Sequence, residues 1–224
     1  SLKGREDLRD LPLITIDPAD ARDHDDAVFA QRDEDPKNDG GWIVWVAIAD
    51  VAAYVRPGTA LDREARAKGN STYFPDRVEP MLPEVLSNGL CSLKQGENRA
   101  CLAVRMIFDK DGRKLGHRFV RGLMRSHASL SYEQAQTAID GQPDDAAGPI
   151  METILRPLWS AYHAMLKGRL KRSPLQIESP ERKVLMEPGG GIAAIEPRRS
   201  LEAHRLIEEM MIQANVCAAE TLEQ

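Results

Sequence analysis

Two short apolar runs enclose five aspartates in the stretch LITIDPADARDHDDAVFA, residues 13–30: Asp17, Asp20, Asp23, Asp25 and Asp26 fall within ten positions. Two like charges about 5 Å apart repel by about 3 kcal/mol at an effective dielectric near 20. A chain that folds this segment must spread the acids into water or bring them to a positive charge. Leu13, Thr15 and Asp17 alternate with Ile14 and Ile16, the pattern of a short strand. Pro18 biases Asp17 away from helical dihedrals, so this carboxylate ends the strand. Ala27 and Val28 follow Asp26 directly, so the acids border a second buried strand. That arrangement favours a cation site over a solvated surface loop, which is the alternative reading of the spacing alone.

An all-oxygen cluster suits a hard divalent ion such as Mg²⁺, which is held by a few carboxylates together with substrate phosphates. A calcium loop starting at Asp23 is excluded, because Ala27 and Val28 occupy the positions that need an oxygen and a glycine. In an extended segment Asp23 and Asp25 share a face and Asp26 opposes them, so convergence requires the loop to turn. Such a cluster matches two-metal phosphodiester cleavage. His24 is expected to point away from its acidic neighbours. Asp20 and Arg22 are expected to be loop residues, with Arg22 softening the local charge.

Composition places few limits beyond this. At 224 residues, 42% hydrophobic and 29% charged, the chain is an ordinary globular protein of one large or two small domains. No run approaches eighteen apolar residues, and the charged start SLKGREDLRD is no signal peptide. The missing initiator Met marks a processed chain or a piece of a longer one. Cys91, Cys101 and Cys217 show no C-x-x-C spacing and the histidines are scattered, so reduced, buried thiols in a cytoplasmic protein are expected rather than zinc. A net charge of −5 argues against a non-specific nucleic-acid binder, although KGRLKRS (167–173) and EPRRS (196–200) are locally basic.

Periodicity predicts further strands in AVFAQRD and GWIVWVAIADVAAYV, and a helix over ALDREARAKG capped by Thr59 and stopped by Gly69. One helical turn is expected around 83–88, and a hairpin over 100–126 turning at Lys110-Asp111-Gly112. Ser131 and Gln134 form a capping-box pattern ahead of a short helix. A longer helix is expected over 149–171, with Ile150, Ile154, Leu158, Tyr162 and Met165 along one side. A second hairpin turns at Gly189–Gly191. The last helix runs from Ser200, with Leu206, Ile207, Met210, Met211, Ala214 and Ala218 on one face. The fold class is α+β, with a mixed, largely antiparallel sheet and packed helices.

TIDPADARDHDDAV resembles the signature of the RNB catalytic domain of the ribonuclease II and ribonuclease R exoribonucleases. The resemblance continues through VAIADVAAYVRPGTALDREARAKGNSTYFPDRVEPMLPEVLSNGLCSL, LSYEQ, PERKVLMEPGGGIAAIEPR and LEAHRLIEEMMIQANVCAAE, and lies closer to the ribonuclease R branch. It implies a Mg²⁺-dependent hydrolytic 3′→5′ exoribonuclease, with Mn²⁺ a plausible substitute. Such an enzyme takes single-stranded RNA 3′ end first and releases nucleoside 5′-monophosphates. Carried over by position, the catalytic aspartates are Asp17, Asp23, Asp25 and Asp26. Asp17 and Asp26 ligate the principal metal, Asp25 serves the second metal and the attacking water, and Asp23 supports the cluster. The base-stacking aromatic is Tyr73, and Tyr132 with Glu208 or Glu209 falls at the 3′-end pocket. For these residues ordinary core packing or a solvated helix face is the competing explanation.

Residues 1–12 read as a lead-in and 13–224 as a partial RNB domain truncated at its C-terminus, without cold-shock or S1 domains. The family's TSPIRRY-like segment, which supplies an arginine for the scissile phosphate, is absent, so weak or no activity is expected of this stretch alone. No protein partner is inferable and no membrane association is expected. The alternative function is a non-catalytic RNB-like scaffold that binds RNA or protein.

Overall fold

In the computed structural model, which describes residues 4–171, 182–187, 189, 191–197 and 200–223, the apolar runs flanking the aspartates become neighbouring strands of one sheet. The chain opens with β1 (Glu6–Asp7), β2 (Ile14–Asp17), β3 (Asp26–Arg32) and β4 (Trp42–Ala49). Helix α1 (Ala60–Lys68) and a small hairpin of β5 (Thr72–Tyr73) and β6 (Val78–Glu79) follow. Next come β7 (Asn98–Phe108), β8 (Lys114–Arg125), β9 (Ala128–Ser131), α2 (Tyr132–Ile139) and α3 (Arg156–Lys171). A third hairpin, β10 (Arg182–Met186) and β11 (Ile192–Pro197), precedes α4 (Glu202–Leu222).

Seven strands form the main sheet in the order β1-β8-β7-β4-β3-β2-β9. Its centre is antiparallel, while β1 joins β8 and β9 joins β2 in parallel at the two edges. The fold is thus α+β with a mixed, largely antiparallel sheet. The sequence WIVWVAIA of β4 is buried throughout except at Ile48, as a central strand covered on both faces demands. Helices α2, α3 and α4 pack on β2, β3 and β4 respectively. The lead-in is part of the architecture: β1 extends the sheet, and Leu8 is a core residue.

Several boundaries differ from the periodicity. Strand β4 stops at Ala49 rather than running to Val55, because buried Asp50 is held by Arg5 at 2.6 Å and Arg121 at 3.0 Å and the chain turns. The predicted turn at 83–88 is a π-helical segment at Val85–Leu90. The predicted helix over 149–171 starts as wide π-turns at Met151–Leu155 and becomes α-helical from Arg156. Pro157, with no N–H to donate backward, sits where the geometry changes. Its expected apolar face is buried as predicted. In α4 the buried stripe takes in Leu206, Ile207, Met210 and Ala214, but also Ala203, Glu209, Gln213 and Cys217, while Met211 and Ala218 sit half-buried at its margin. Pro188 and Gly190, in the Gly189–Gly191 turn, lie outside the described residues. Among the described residues no helix is long and apolar enough to cross a membrane.

Helix α3 reaches the sheet through two glycines. Gly112, at φ +79° in the β7–β8 turn, faces the backbone of α3 so closely that a Cβ there would lie 1.9 Å from the Ala164 carbonyl oxygen. A Cβ on Gly168 would in turn lie 2.3 Å from the Gly112 carbonyl oxygen. Gly112→Ala combines a left-handed backbone with a clash against backbone atoms, which cannot rotate away. It is expected to destabilise the chain by more than about 2 kcal/mol. Thermal or urea unfolding beside Gly148→Ala, where a Cβ meets open space, checks this: equal midpoints for the two variants would refute the close approach.

Candidate active site

Strands β2 and β3 are antiparallel neighbours with Ile14 opposite Val28, which brings Asp17 at the end of one and Asp26 at the start of the other to the same end of the sheet. The loop 18–25 between them carries Asp23 and Asp25. Asp17 is buried, Asp23 and Asp26 are half-buried, and Asp25 is exposed. Backbone bonds hold the loop down: Ala21 N–H donates to the Pro18 carbonyl at 2.9 Å, Leu93 N–H to the His24 carbonyl at 2.8 Å, and Ala49 N–H to the Asp25 carbonyl at 2.8 Å. Ser92 adds two more. Its hydroxyl donates to the Arg22 carbonyl at 2.9 Å and accepts from His24 N–H at 3.0 Å.

Burial and neighbouring charge raise the pKa values of Asp25 and Asp26. Burial first, then the charges of Asp17 and Asp25, push the Asp26 carboxyl up to about 7, with His24 pulling the other way. Burial, Asp23 and Asp17 raise Asp25 in the same manner. His24 does not point away from the acids. Its Nδ1 lies 2.7 Å from Asp17 Oδ2, and this hydrogen bond holds the imidazole pKa above its ordinary value. The correction has a plain cause: a carboxylate this enclosed takes the nearest available donor. Arg22 is exposed, and among the described residues no Arg or Lys forms an ion pair with Asp17, Asp23, Asp25 or Asp26.

Among the described residues no three His, Cys, Asp or Glu side chains converge within reach of a single ion. The acids meet through charge rather than as a closed cage. An oxygen-only donor set with excess negative charge nevertheless fits Mg²⁺, which takes one or two protein carboxylates and fills its remaining positions with water and substrate phosphates.

The other predicted residues divide. Tyr73, 66% exposed, donates its hydroxyl to Asp23 Oδ2 at 3.2 Å, so the small β5–β6 hairpin leans onto the acidic loop. Tyr132 follows Ser131, which pairs with Asp17 across β9 and β2. The expected capping box is present, with Ser131 Oγ accepting from Gln134 N–H at 3.0 Å and Gln134 Oε1 from Ser131 N–H at 2.8 Å. The Tyr132 ring stacks on His204 of α4, with centroids 4.0 Å apart. Glu208, one turn beyond His204, is exposed, whereas Glu209 is buried with its oxygens taken by Arg169 at 2.9 Å and Gln213 at 2.8 Å. A cleft of about 430 Å³ lies beside the acids, lined by Pro18, Ala19, His24, Ser131 and Gln134 among others. Ser92 carries no signal in the sequence. It is a serine in a proline-rich loop, and its role depends on a contact across 70 residues.

Comparison with known proteins identifies the family. The RNB domain family model matches residues 5–224. Ribonuclease R of Escherichia coli is 47% identical over 99% of the chain and 27% of its own length. Ribonuclease R of Mycoplasma genitalium, solved with ribose-methylated single-stranded RNA, superposes with a TM-score of 0.92 at 29% identity, over 98% of this chain and 34% of that one. Yeast Ssd1, described as a pseudonuclease, shares the fold alone: TM-score 0.63 and 18% identity, over 76% of this chain and 20% of that one. The chain therefore spans about a quarter of the length of the curated relative it matches. On the strength of a family match across nearly its whole length, the chain belongs to the RNB domain family.

Proposed function

We propose that this chain carries the metal-binding half of a 3′→5′ exoribonuclease active site, acting on single-stranded RNA and releasing nucleoside 5′-monophosphates. The observation that carries this reading is the group of four aspartates at one end of the sheet, where burial and the charges of Asp17 and Asp25 push Asp26 up to about 7 and, among the described residues, no arginine or lysine pairs with them. Asp17 and Asp26 would hold the principal Mg²⁺, and Asp25 a second. Bound there, such ions would activate water and stabilise charge on the scissile phosphate. Mn²⁺ would substitute.

The chain's own residues supply orientation. Asp25, the most exposed of the group, would align the attacking water. His24 keeps the Asp17 carboxylate in a fixed direction. Tyr73 offers an exposed ring for stacking, worth about 1–3 kcal/mol per base and indifferent to sequence. The Tyr132–His204 stack and the exposed Glu208 form the candidate pocket for the 3′ nucleotide. There the ribose 2′-hydroxyl would distinguish RNA from DNA. Glu209, enclosed by Arg169 and Gln213, is assigned a structural part. A non-catalytic scaffold is the weaker reading, because all four aspartates are retained.

Two outcomes follow. Full-length protein containing this chain, incubated with Mg²⁺ and 5′-labelled single-stranded RNA, is expected to shorten the RNA from its 3′ end and spare the matching DNA. Asp25→Asn should slow this by at least about 100-fold. Intact RNA, or equal rates for the two proteins, would move the assignment to the scaffold.

The second outcome concerns stability without metal. A carboxyl whose folded pKa is raised, from 3.8 to about 7 at Asp26, contributes stability that is present at low pH and lost as pH rises through about 7. The raised His24 acts in the same direction above its ordinary 6.5. The arginine-paired Asp50, whose pKa is lowered, acts oppositely but below 3.8. In EDTA the melting temperature is therefore expected to fall between about pH 5 and pH 8. Mg²⁺ should restore it at the alkaline end, and Asp26→Asn should flatten the slope. A flat profile in EDTA for the unsubstituted protein would contradict the electrostatics.

A further inference from the structure

Ser92 is fully buried, yet its hydroxyl is engaged on both sides of a single acidic residue. It donates to the carbonyl of Arg22 and accepts from the amide of His24, and so brackets Asp23 from behind. Its own backbone is fixed in turn, with the Ser92 carbonyl accepting from Arg99 Nε at 2.8 Å. The same guanidinium reaches the Gly89 carbonyl at 3.1 Å. Asp23, pinned at both flanking peptides, points its carboxylate outward to accept the Tyr73 hydroxyl. A line of hydrogen bonds, joined by the two peptide links that flank Asp23, thus runs from a buried serine to an aromatic ring standing in solvent.

We propose that Ser92 is a positioning residue that sets where Tyr73 stands relative to the acidic loop. Asp23 acts as the tether rather than as a further ion ligand. The hairpin bearing Tyr73 needs such a tether. Strands β5 and β6 are two residues each and pair with each other alone, and both Tyr73 and Phe74 are exposed. A two-stranded hairpin of this size has little stability of its own. The ring's distance from the carboxylates determines how many nucleotides lie between the stacked base and the scissile bond. Holding it constant gives a sequence-tolerant enzyme a fixed register. That functional consequence rests on the exoribonuclease reading; the structural link from Ser92 to Tyr73 does not.

The test separates the two. Labelling the full-length protein with 3-fluorotyrosine gives each tyrosine a ¹⁹F resonance, and Tyr73→Phe identifies the one from Tyr73. Ser92→Ala is expected to move that resonance in the same direction as Asp23→Asn does. Asn38→Ala, which removes a buried side chain bonded to the Phe108 carbonyl in a distant loop, should lower the melting temperature and leave the resonance in place. Ser92→Cys, close to serine in volume but a weak donor, serves if the alanine variant does not fold. On RNA, Ser92→Ala and Tyr73→Phe should each raise KM about fivefold, with kcat changed less, as expected for one lost hydrogen bond. The double variant should add nothing further. An unmoved resonance in both Ser92 variants, or additive KM effects, would overturn the link. A moved resonance in a protein that cleaves no RNA would sustain the link and reject the exoribonuclease reading instead.

Discussion

Mutual repulsion among Asp17, Asp23, Asp25 and Asp26 is the constraint on which the surrounding structure depends. Left to itself, a loop carrying four carboxylates would splay into water, where each could be solvated separately. Here it cannot. Both ends are strand termini, and the β3 strand that begins at Asp26 is laddered to β4 along its whole length. Strand β4 is laddered in turn to β7, and that block contains the driest residues of the protein, Val28, Val44, Val46 and Met106 among them. The best-packed part of the sheet therefore supports its least favourable electrostatic feature. Rigid elements of this kind hold a site in a geometry that its own groups would not choose.

Other buried acids in the same molecule make the contrast internal. Asp50 receives Arg5 and Arg121, and Glu209 receives Arg169. The chain thus places a guanidinium against a buried carboxylate where neutralisation suffices. At the acidic loop it places the imidazole of His24 on Asp17 and, among the described residues, no guanidinium or ammonium on the other three. Arginine at these positions would satisfy the charge permanently and leave nothing for a substrate-borne or water-borne cation to do. Here several half-buried carboxylates crowd together without a cationic side chain among the described residues, and that crowding marks function better than the count of acids does.

Much of this was legible in the sequence, because the decisive signals were local. Alternation in PLITID, proline after Asp17 and apolar residues after Asp26 are enough to set two strands and a loop between them. The Ser131–Gln134 box and the Lys110-Asp111-Gly112 turn are equally self-contained. What escaped depends on contacts across long stretches of chain. The direction of the His24 ring is decided by the depth of Asp17, the end of β4 by Arg5 and Arg121, and the set of the loop by Ser92. Glu208 and Glu209 are adjacent in sequence and opposite in environment. Helical periodicity places them 100° apart but does not say which one Arg169 bonds at 2.9 Å in the interior and which it only approaches, at 3.8 Å, from the surface.

Fold and site also carry different information. The similarity to yeast Ssd1 extends over three-quarters of the chain, yet that protein is described as a pseudonuclease. At 18% identity that likeness concerns the fold alone, and folds commonly host several functions. Crowding half-buried carboxylates works against the fold, so the acids need another reason to be present. Their cost falls on the metal-free protein, in which Asp26 keeps its proton up to about pH 7. A side chain that destabilises its own fold on ionising, at the end of a strand where asparagine would fit without that repulsion, is accounted for by what it binds rather than by what it packs against.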